Sequence, residues 1–221
     1  DQLGAVEEYE VAHHQEGHSN ETLFVTWGEG AFVLRRPPPG DTAETAHDVL
    51  REYEVLDALQ GSAVPVPETV AATDDDSLLG CPFYVMERLH GDVVRFSEPD
   101  RFDTPGARRA AIHSVDYEAV GLGEFGRPAG FAGRQVERWR EQFEWAFQET
   151  TAERGVPAID RVGEWLAANV PDSQAHALVH GDYKLDNVLF APGTPPEIAG
   201  VLDWEMSTLG DPLCDLGWLL F

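Results

Sequence analysis

The stretch from Leu178 to Asn187, Leu-Val-His-Gly-Asp-Tyr-Lys-Leu-Asp-Asn, constrains this chain more than any other. It is answered downstream by Val201-Leu202-Asp203-Trp204-Glu205, and each polar cluster follows a short apolar run, Ala177 to Val179 or Ile198 to Leu202. Val188-Leu189-Phe190 supplies a third run between them. Short β-prone runs bounded by Gly, Pro, Asp and Asn predict strands, and they place the polar residues on loops anchored by rigid strand ends. A hairpin with polar tips, in which Asp182 and Asn187 only form Asx-turns, is the simpler alternative for any one of these residues.

The joint spacing argues for more. Asp182, Lys184 and Asn187 stand at i, i+2 and i+5, the spacing of Asp, Lys and Asn in the protein-kinase catalytic loop, which precedes an Asp-Phe-Gly. His180 fills the His position of that loop, Gly181 replaces its Arg, and Leu202-Asp203-Trp204-Glu205 stands where Asp-Phe-Gly lies. On these motifs the chain resembles the aminoglycoside-phosphotransferase-like kinases. Val-Leu-Arg-Arg-Pro-Pro-Pro-Gly (33–40), Val-Leu-Asp-Trp-Glu-Met (201–206) and Thr-Leu-Gly-Asp-Pro (208–212) are most similar to the branch whose kinase-like domains are attached to acyl-CoA dehydrogenases.

The resemblance implies an α+β, two-lobed protein-kinase-like fold, with a β-rich small lobe over 1–88 and a mostly helical large lobe over 89–221. It also implies magnesium-dependent transfer of the γ-phosphoryl of ATP, with GTP as the alternative donor, to a hydroxyl of a small molecule. A hydroxylated acyl acceptor is favoured over an aminoglycoside. Kinases of this kind continue with further helices, so the large lobe is expected to be incomplete where the chain stops in Trp218-Leu219-Leu220-Phe221.

Phosphoryl transfer makes the same demands without a family name. It needs a carboxylate near the acceptor hydroxyl, oxygen ligands for a hard divalent cation, and a cation beside the transferring phosphate. Asp182 can be the first, Asn187 and Asp203 the second, and Lys184 the third. His180 is expected to brace the loop, and Asp211 and Asp215 to serve as helix-start and loop-locking residues.

Charge narrows the function classes. Lys+Arg is 15 and Asp+Glu is 40, a formal net charge of −25. Such a charge excludes electrostatic binding to nucleic acid or anionic lipid as the chain's main business. The one lysine is Lys184, inside the loop, while acids occur along the whole length. That distribution fits adaptation to a salt-rich cytoplasm, where repulsion is screened, better than an acidic cleft recruiting a cation. No run of 18 apolar residues and no basic–apolar leader is present, so the expected location is cytoplasmic, away from the membrane. Cys81 and Cys214 lack metal-ligand spacing and are expected to be buried free thiols.

In chain order, strands are predicted at Tyr9 to Ala12, Thr22 to Trp27 and Ala31 to Arg35. Between the first two, Gly17 and Ser19 lie where a kinase loop covers the nucleotide phosphates, so Ser19 is a candidate phosphate contact. By resemblance Arg35 takes the place of the ATP-phosphate lysine. A helix from Asp41 or Thr42 to Gln60 carries an apolar stripe of Ala46, Val49, Leu50, Tyr53, Leu56 and Leu59, with Glu52 at its edge as the partner of Arg35. Val64 to Val66 and Thr69 to Ala72 read as strand, and Asp74 to Ser77 as a turn. Pro82 to Leu89 is the next strand, and resemblance makes it the hinge. There Glu87 to Leu89 would pair with adenine and Met86 would back the pocket. A helix around 107–115 follows. A second, over 134–151, has Trp139, Phe143 and Phe147 as its expected core face, and a third covers 158–169.

Two rivals accompany the kinase reading. One is a nucleotide-binding regulatory module without turnover, favoured by Arg35 in place of lysine and by the degenerate glycine loop, of which only Gly17 remains. The other is a metal-dependent phosphohydrolase in which Asp182 activates water.

Overall fold

Alternation of side chains builds the first layer of the protein. The computed structural model describes residues 6, 8–14, 20–38, 48–94, 111–149, 156–173, 175–193 and 197–220. Strands β1 (Tyr9–His14), β2 (Glu21–Trp27) and β3 (Gly30–Arg36) are antiparallel neighbours. Trp27 pairs with Gly30, which leaves the two-residue turn Gly28-Glu29, and Gly28 takes the φ of +60° that such a turn requires. With β4 (Thr69–Thr73) and β5 (Phe83–Glu87) they form a five-stranded sheet of order β1-β2-β3-β5-β4. Arg35 pairs with Thr22 on one side and Tyr84 on the other, so these three side chains share one face. Arg36 points the opposite way and pairs with Glu21, which confirms the register that assigns Arg35 to the cleft side.

Helix α1 (Val49–Ala58) packs against β4 and β5. Its N-cap is Asp48, whose carboxylate accepts from Arg51 N at 3.0 Å; the expected caps Asp41 and Thr42 lie outside the described residues. The buried face consists of Val49, Glu52, Val55, Leu56 and Leu59. Glu52 thus sits within the stripe and not at its edge, whereas Leu50 and Tyr53 are only partly buried. Val64 to Val66 is not a strand: it is a loop that returns Pro65 O to Val201 N at 2.8 Å. Asp74 to Ser77 is more than a turn, because Asp75 caps a four-residue helix, α2 (Asp76–Leu79), which Gly80 ends in the left-handed conformation.

The remaining strands are short and lie in the part that carries the polar motifs. β7 (Ala177–Val179) pairs with β10 (Thr208–Gly210). β8 (Val188–Phe190) lies between β6 (Asp92–Val93) and β9 (Ile198–Val201). Helices α3 (Phe131–Glu149) and α4 (Pro157–Ala168) pack on each other, and α5 (Leu213–Leu220) follows β10. Of the expected core face of α3, Trp139 is 48% exposed and Phe143 41%, so in this structure they face solvent; the Phe147 side chain lies outside the described part. Both cysteines are free thiols but only half-buried.

One apolar cluster joins the layers, from Val33, Leu56 and Tyr84 through Val64 to Leu178, Tyr183, Val201 and Trp204. The protein is α+β with a protein-kinase-like arrangement. Among the described residues no helix is long and apolar enough to cross a membrane.

Candidate active site

β7 is buried along its length and delivers His180, itself fully buried, to the start of the loop. Burial holds the His180 imidazole below its ordinary pKa, against the pull of the Asp215 charge. Leu202 O can only accept, so His180 Nε2 donates to it at 2.9 Å, while Nδ1 accepts from Asp182 N at 3.3 Å. A single neutral tautomer therefore locks the loop to the strand that leads to Asp203. Beneath the loop, Asp215 accepts from His180 N and Gly181 N, each at 2.9 Å, and His113 Nε2 lies 2.9 Å from the same carboxylate. Both predicted locking roles hold. Gly181 adopts φ +86°, and a Cβ there would stand 2.3 Å from Met206 O, so no other residue fits the position of the kinase arginine.

The functional side chains of the loop converge on one carboxylate. Lys184 Nζ lies 2.8 Å from Asp182 Oδ2, and this hydrogen bond raises the lysine pKa. Asn187 Nδ2 donates to Asp182 O at 2.9 Å and to Asp182 Oδ2 at 3.0 Å. Asp182 Oδ1 accepts no hydrogen bond from the described residues. The amide of Asn187 is oriented by these bonds, which leaves its Oδ1 as the atom available to a cation. Leu202 N donates to Asn187 O at 2.9 Å, so Asn187 and Asp203 are held on adjacent backbones. Asp203 is the one non-glycine described residue with positive φ, at +65°, a conformation that carboxylates and amides tolerate best.

Across the cleft, Arg35 meets three carboxylates. Its Nη1 lies 3.1 Å from Glu52 Oε1 and 3.2 Å from Asp203 Oδ1, and its Nη2 lies 3.7 Å from Glu205 Oε2. The predicted Arg35–Glu52 pair is present, and Asp203 joins it. Burial opposes the arginine charge, but Glu52, Tyr84, Asp203 and Glu205 more than offset this, so the guanidinium stays protonated. Burial pushes Glu52 up to about 7, against the pull of Arg35. The same Glu52 oxygen accepts from Trp204 N at 3.2 Å. Trp204 is 1% exposed and packs on His180 with ring centroids 4.7 Å apart. The Asp-Trp-Glu segment is therefore gripped by α1 on one side and the loop of His180 on the other.

Ser19 lies outside the described residues. Met86 is buried, and Glu87 and Leu89 are partly buried at the end of β5. Glu87 N donates to Glu68 O at 2.8 Å and Arg88 N to Ala31 O at 3.0 Å, so neither amide is available to a base. A cleft of about 900 Å³ opens beside Gly181 and Glu205, walled by Phe131, Arg138, Trp139 and Trp218. Sequence reasoning gave no role to Glu205, Asn20 or Tyr84. Glu205 carried a legible signal, since it stands two residues beyond Asp203 in the same motif. Asn20 and Tyr84 are found only once the strand pairing is known.

Comparison with known proteins bears on this geometry. The model of the phosphotransferase enzyme family matches residues 10–221. Acyl-CoA dehydrogenase family member 11 of Rattus norvegicus is 40% identical over 224 residues, covering 95% of this chain and 27% of that protein. Acyl-CoA dehydrogenase family member 10 of Mus musculus is 36% identical over 220 residues, covering 95% and 20%. The chain thus corresponds to a fraction of each of these relatives. A solved Ralstonia eutropha structure, provisionally assigned as an aminoglycoside phosphotransferase, matches at TM-score 0.78 and 35% identity over 98% of this chain and 64% of that one. The aminoglycoside-3'-phosphotransferase of type VIII shares the fold, with TM-score 0.68 at 21% identity over 96% and 77% of the two chains. A kinase-like loop, its facing Asp-Trp-Glu and a family match over nearly the whole length agree: this chain belongs to the phosphotransferase enzyme family.

Proposed function

We propose that the chain transfers the γ-phosphoryl of ATP to a hydroxyl of a small molecule, acting in the cytoplasm with magnesium. Residues 1–88 form the nucleotide-covering lobe and residues 89–221 carry the chemistry. The observation that supports this best is the state of Asp182. One carboxylate oxygen is held by Lys184 and Asn187, while the other accepts nothing from the described residues and can take the proton of an acceptor hydroxyl. Lys184 stays cationic beside it and offsets charge that develops on the transferring group.

The donor set fits a hard cation, which prefers one or two carboxylates and retains waters. Asn187, through its oriented Oδ1, and Asp203, one-third exposed, would hold it, with Glu205 as a nearby second carboxylate. When bound, the ion neutralises charge on phosphoryl oxygens. Arg35 stands where a phosphate contact is required, and Met86, Glu87 and Leu89 border the space for the base. A relative of the same fold was solved as a ternary complex of streptomycin, ATP and APH(2")-IIa, at 19% identity. The acyl-CoA dehydrogenase relatives favour a hydroxylated acyl acceptor instead.

The discriminating experiment follows ADP formation with and without candidate alcohols in the parent and in Asp182→Asn. The variant is expected to keep magnesium-ATP affinity within about threefold and to lose on the order of a hundredfold in turnover, as for removal of a general base. Equal turnover in both would remove Asp182 from the mechanism. A second reading, a nucleotide-binding module without turnover, draws on the contact of Arg35 with Asp203, which occupies the carboxylate that a cation needs. Tight nucleotide binding with no turnover across a broad acceptor screen would favour it.

A further inference from the structure

Beneath the five-stranded sheet lies a group of polar atoms that are buried and lack a hydrogen-bond partner among the described residues: Asn20 Oδ1, Arg35 Nε, Tyr84 Oη and Glu52 Oε2. Arg35 and Tyr84 are cross-strand neighbours, and Asn20, in the bend just before β2, lies near Arg35 because both contact Glu205 Oε2. The Tyr84 hydroxyl lies beside the Glu52 carboxylate, short of a well-formed hydrogen bond. Tyr84 and Glu52 can answer each other there, whereas one amide at the outer end of the row faces the Asp-Trp-Glu segment instead.

That amide belongs to Asn20. It is 5% exposed, and its Nδ2 donates to Glu205 Oε2 at 3.2 Å. The same Glu205 oxygen faces Arg35 Nη2 at 3.7 Å. The carboxylate fixes the orientation of the amide, because the flipped form would set oxygen against oxygen. The amide oxygen therefore sits within an amide's width of the Asp203–Glu205 segment, buried and unmet. Native proteins rarely leave such an acceptor unpaired without a ligand or water to meet it. A phosphate oxygen would be repelled there. A donor is needed, and the carboxylates alongside favour one that carries positive charge. A hydrated divalent cation supplies both, since magnesium keeps several of its waters and each water donates.

We propose that Asn20 is a positioning residue of the cation site: it holds Glu205 through Nδ2 and presents Oδ1 to water carried by a divalent cation at Asp203. This rests on the magnesium-nucleotide reading given above. It joins the small-lobe sheet to the Asp-Trp-Glu segment directly, so that binding of the cation is sensed at the start of β2.

Calorimetric titration of ADP, with and without magnesium chloride, tests it in the parent, Asn20→Ala, Glu205→Gln and the double variant. Asn20→Ala is expected to weaken the magnesium-dependent part of ADP affinity by about tenfold, the range for groups that orient metal ligands. Metal-free ADP affinity is expected to stay within about twofold of the parent. The double variant is expected to lose less than the product of the two single losses, because the two residues act as one unit. Should Asn20→Ala fail to fold, Asn20→Ser carries the same readout. An unchanged magnesium-dependent affinity in a folded Asn20 variant overturns this inference alone. A parent that binds ADP without any magnesium dependence overturns it together with the reading on which it rests.

Discussion

The loop from Leu178 to Asn187 and the polar row beneath the sheet face each other across the cleft, and they differ in how far their polar groups are met. In the loop, the groups of His180, Gly181, Asp182 and Asn187 meet partners at 2.9–3.3 Å, and Asp215 closes the underside. In the row, Asn20, Arg35, Glu52 and Tyr84 each keep one buried polar atom without a partner among the described residues. Under the function proposed above, the difference would separate two tasks. A loop that positions an acceptor hydroxyl would need to be rigid before substrate arrives, because misplacement of the reactants is expensive in rate. A surface that receives a charged nucleotide and its cation would keep capacity in reserve, at some loss of stability.

Breaking the loop is expected to have the largest effect. Asp215→Ala would strip two backbone N–H groups of their acceptor inside the core, with a loss on the order of 3 kcal/mol or more in urea denaturation. A loss below about 1 kcal/mol would mean that the loop does not depend on its buried carboxylate. Added salt sharpens the contrast between surface and interior. Screening of a formal charge of −25 is expected to raise stability by roughly 1 kcal/mol or more toward molar potassium chloride, about 2–4 °C in Tm for a chain of this size. The gap between parent and Asp215→Ala should stay constant meanwhile, since buried groups are little screened. A Tm that falls steadily with salt would sink the adaptation to saline surroundings. The smallest effect belongs to the row. Tyr84→Phe removes a buried hydroxyl without a well-formed hydrogen bond, so stability should change by less than about 0.5 kcal/mol, or rise slightly. A loss above about 1.5 kcal/mol would show that Tyr84 and Glu52 already share a strong hydrogen bond.

The same contrast explains what the chain made legible. Within the loop, spacing dictates contact: residues two and five positions beyond Asp182 fall back onto it once a short turn of helix follows, so the motif could be read directly. Arg35 and Glu52 were found by analogy with a strand-to-helix ion pair, although the apolar stripe placed Glu52 at an edge and not inside. A helical wheel ranks positions by neighbours of like polarity, and it cannot show that a buried glutamate has an arginine and a backbone N–H waiting for it. Asn20 and Tyr84 escaped because their meaning depends on strand register, which a linear reading does not contain. The aromatic spacing of α3 misled for a related reason. Periodicity marks one face of a helix, but the partner that covers that face is a property of the fold, and Trp139 and Phe143 remain outward here.

Lys184 combines three facts: it is the sole lysine of the sequence, its side chain is 44% exposed, and its amine touches Asp182. Reductive methylation with isotope-enriched formaldehyde would therefore write a single side-chain amine resonance into the spectrum, located beside Asp182. Nucleotide, cation and acceptor could then be titrated against one NMR peak in the unaltered sequence.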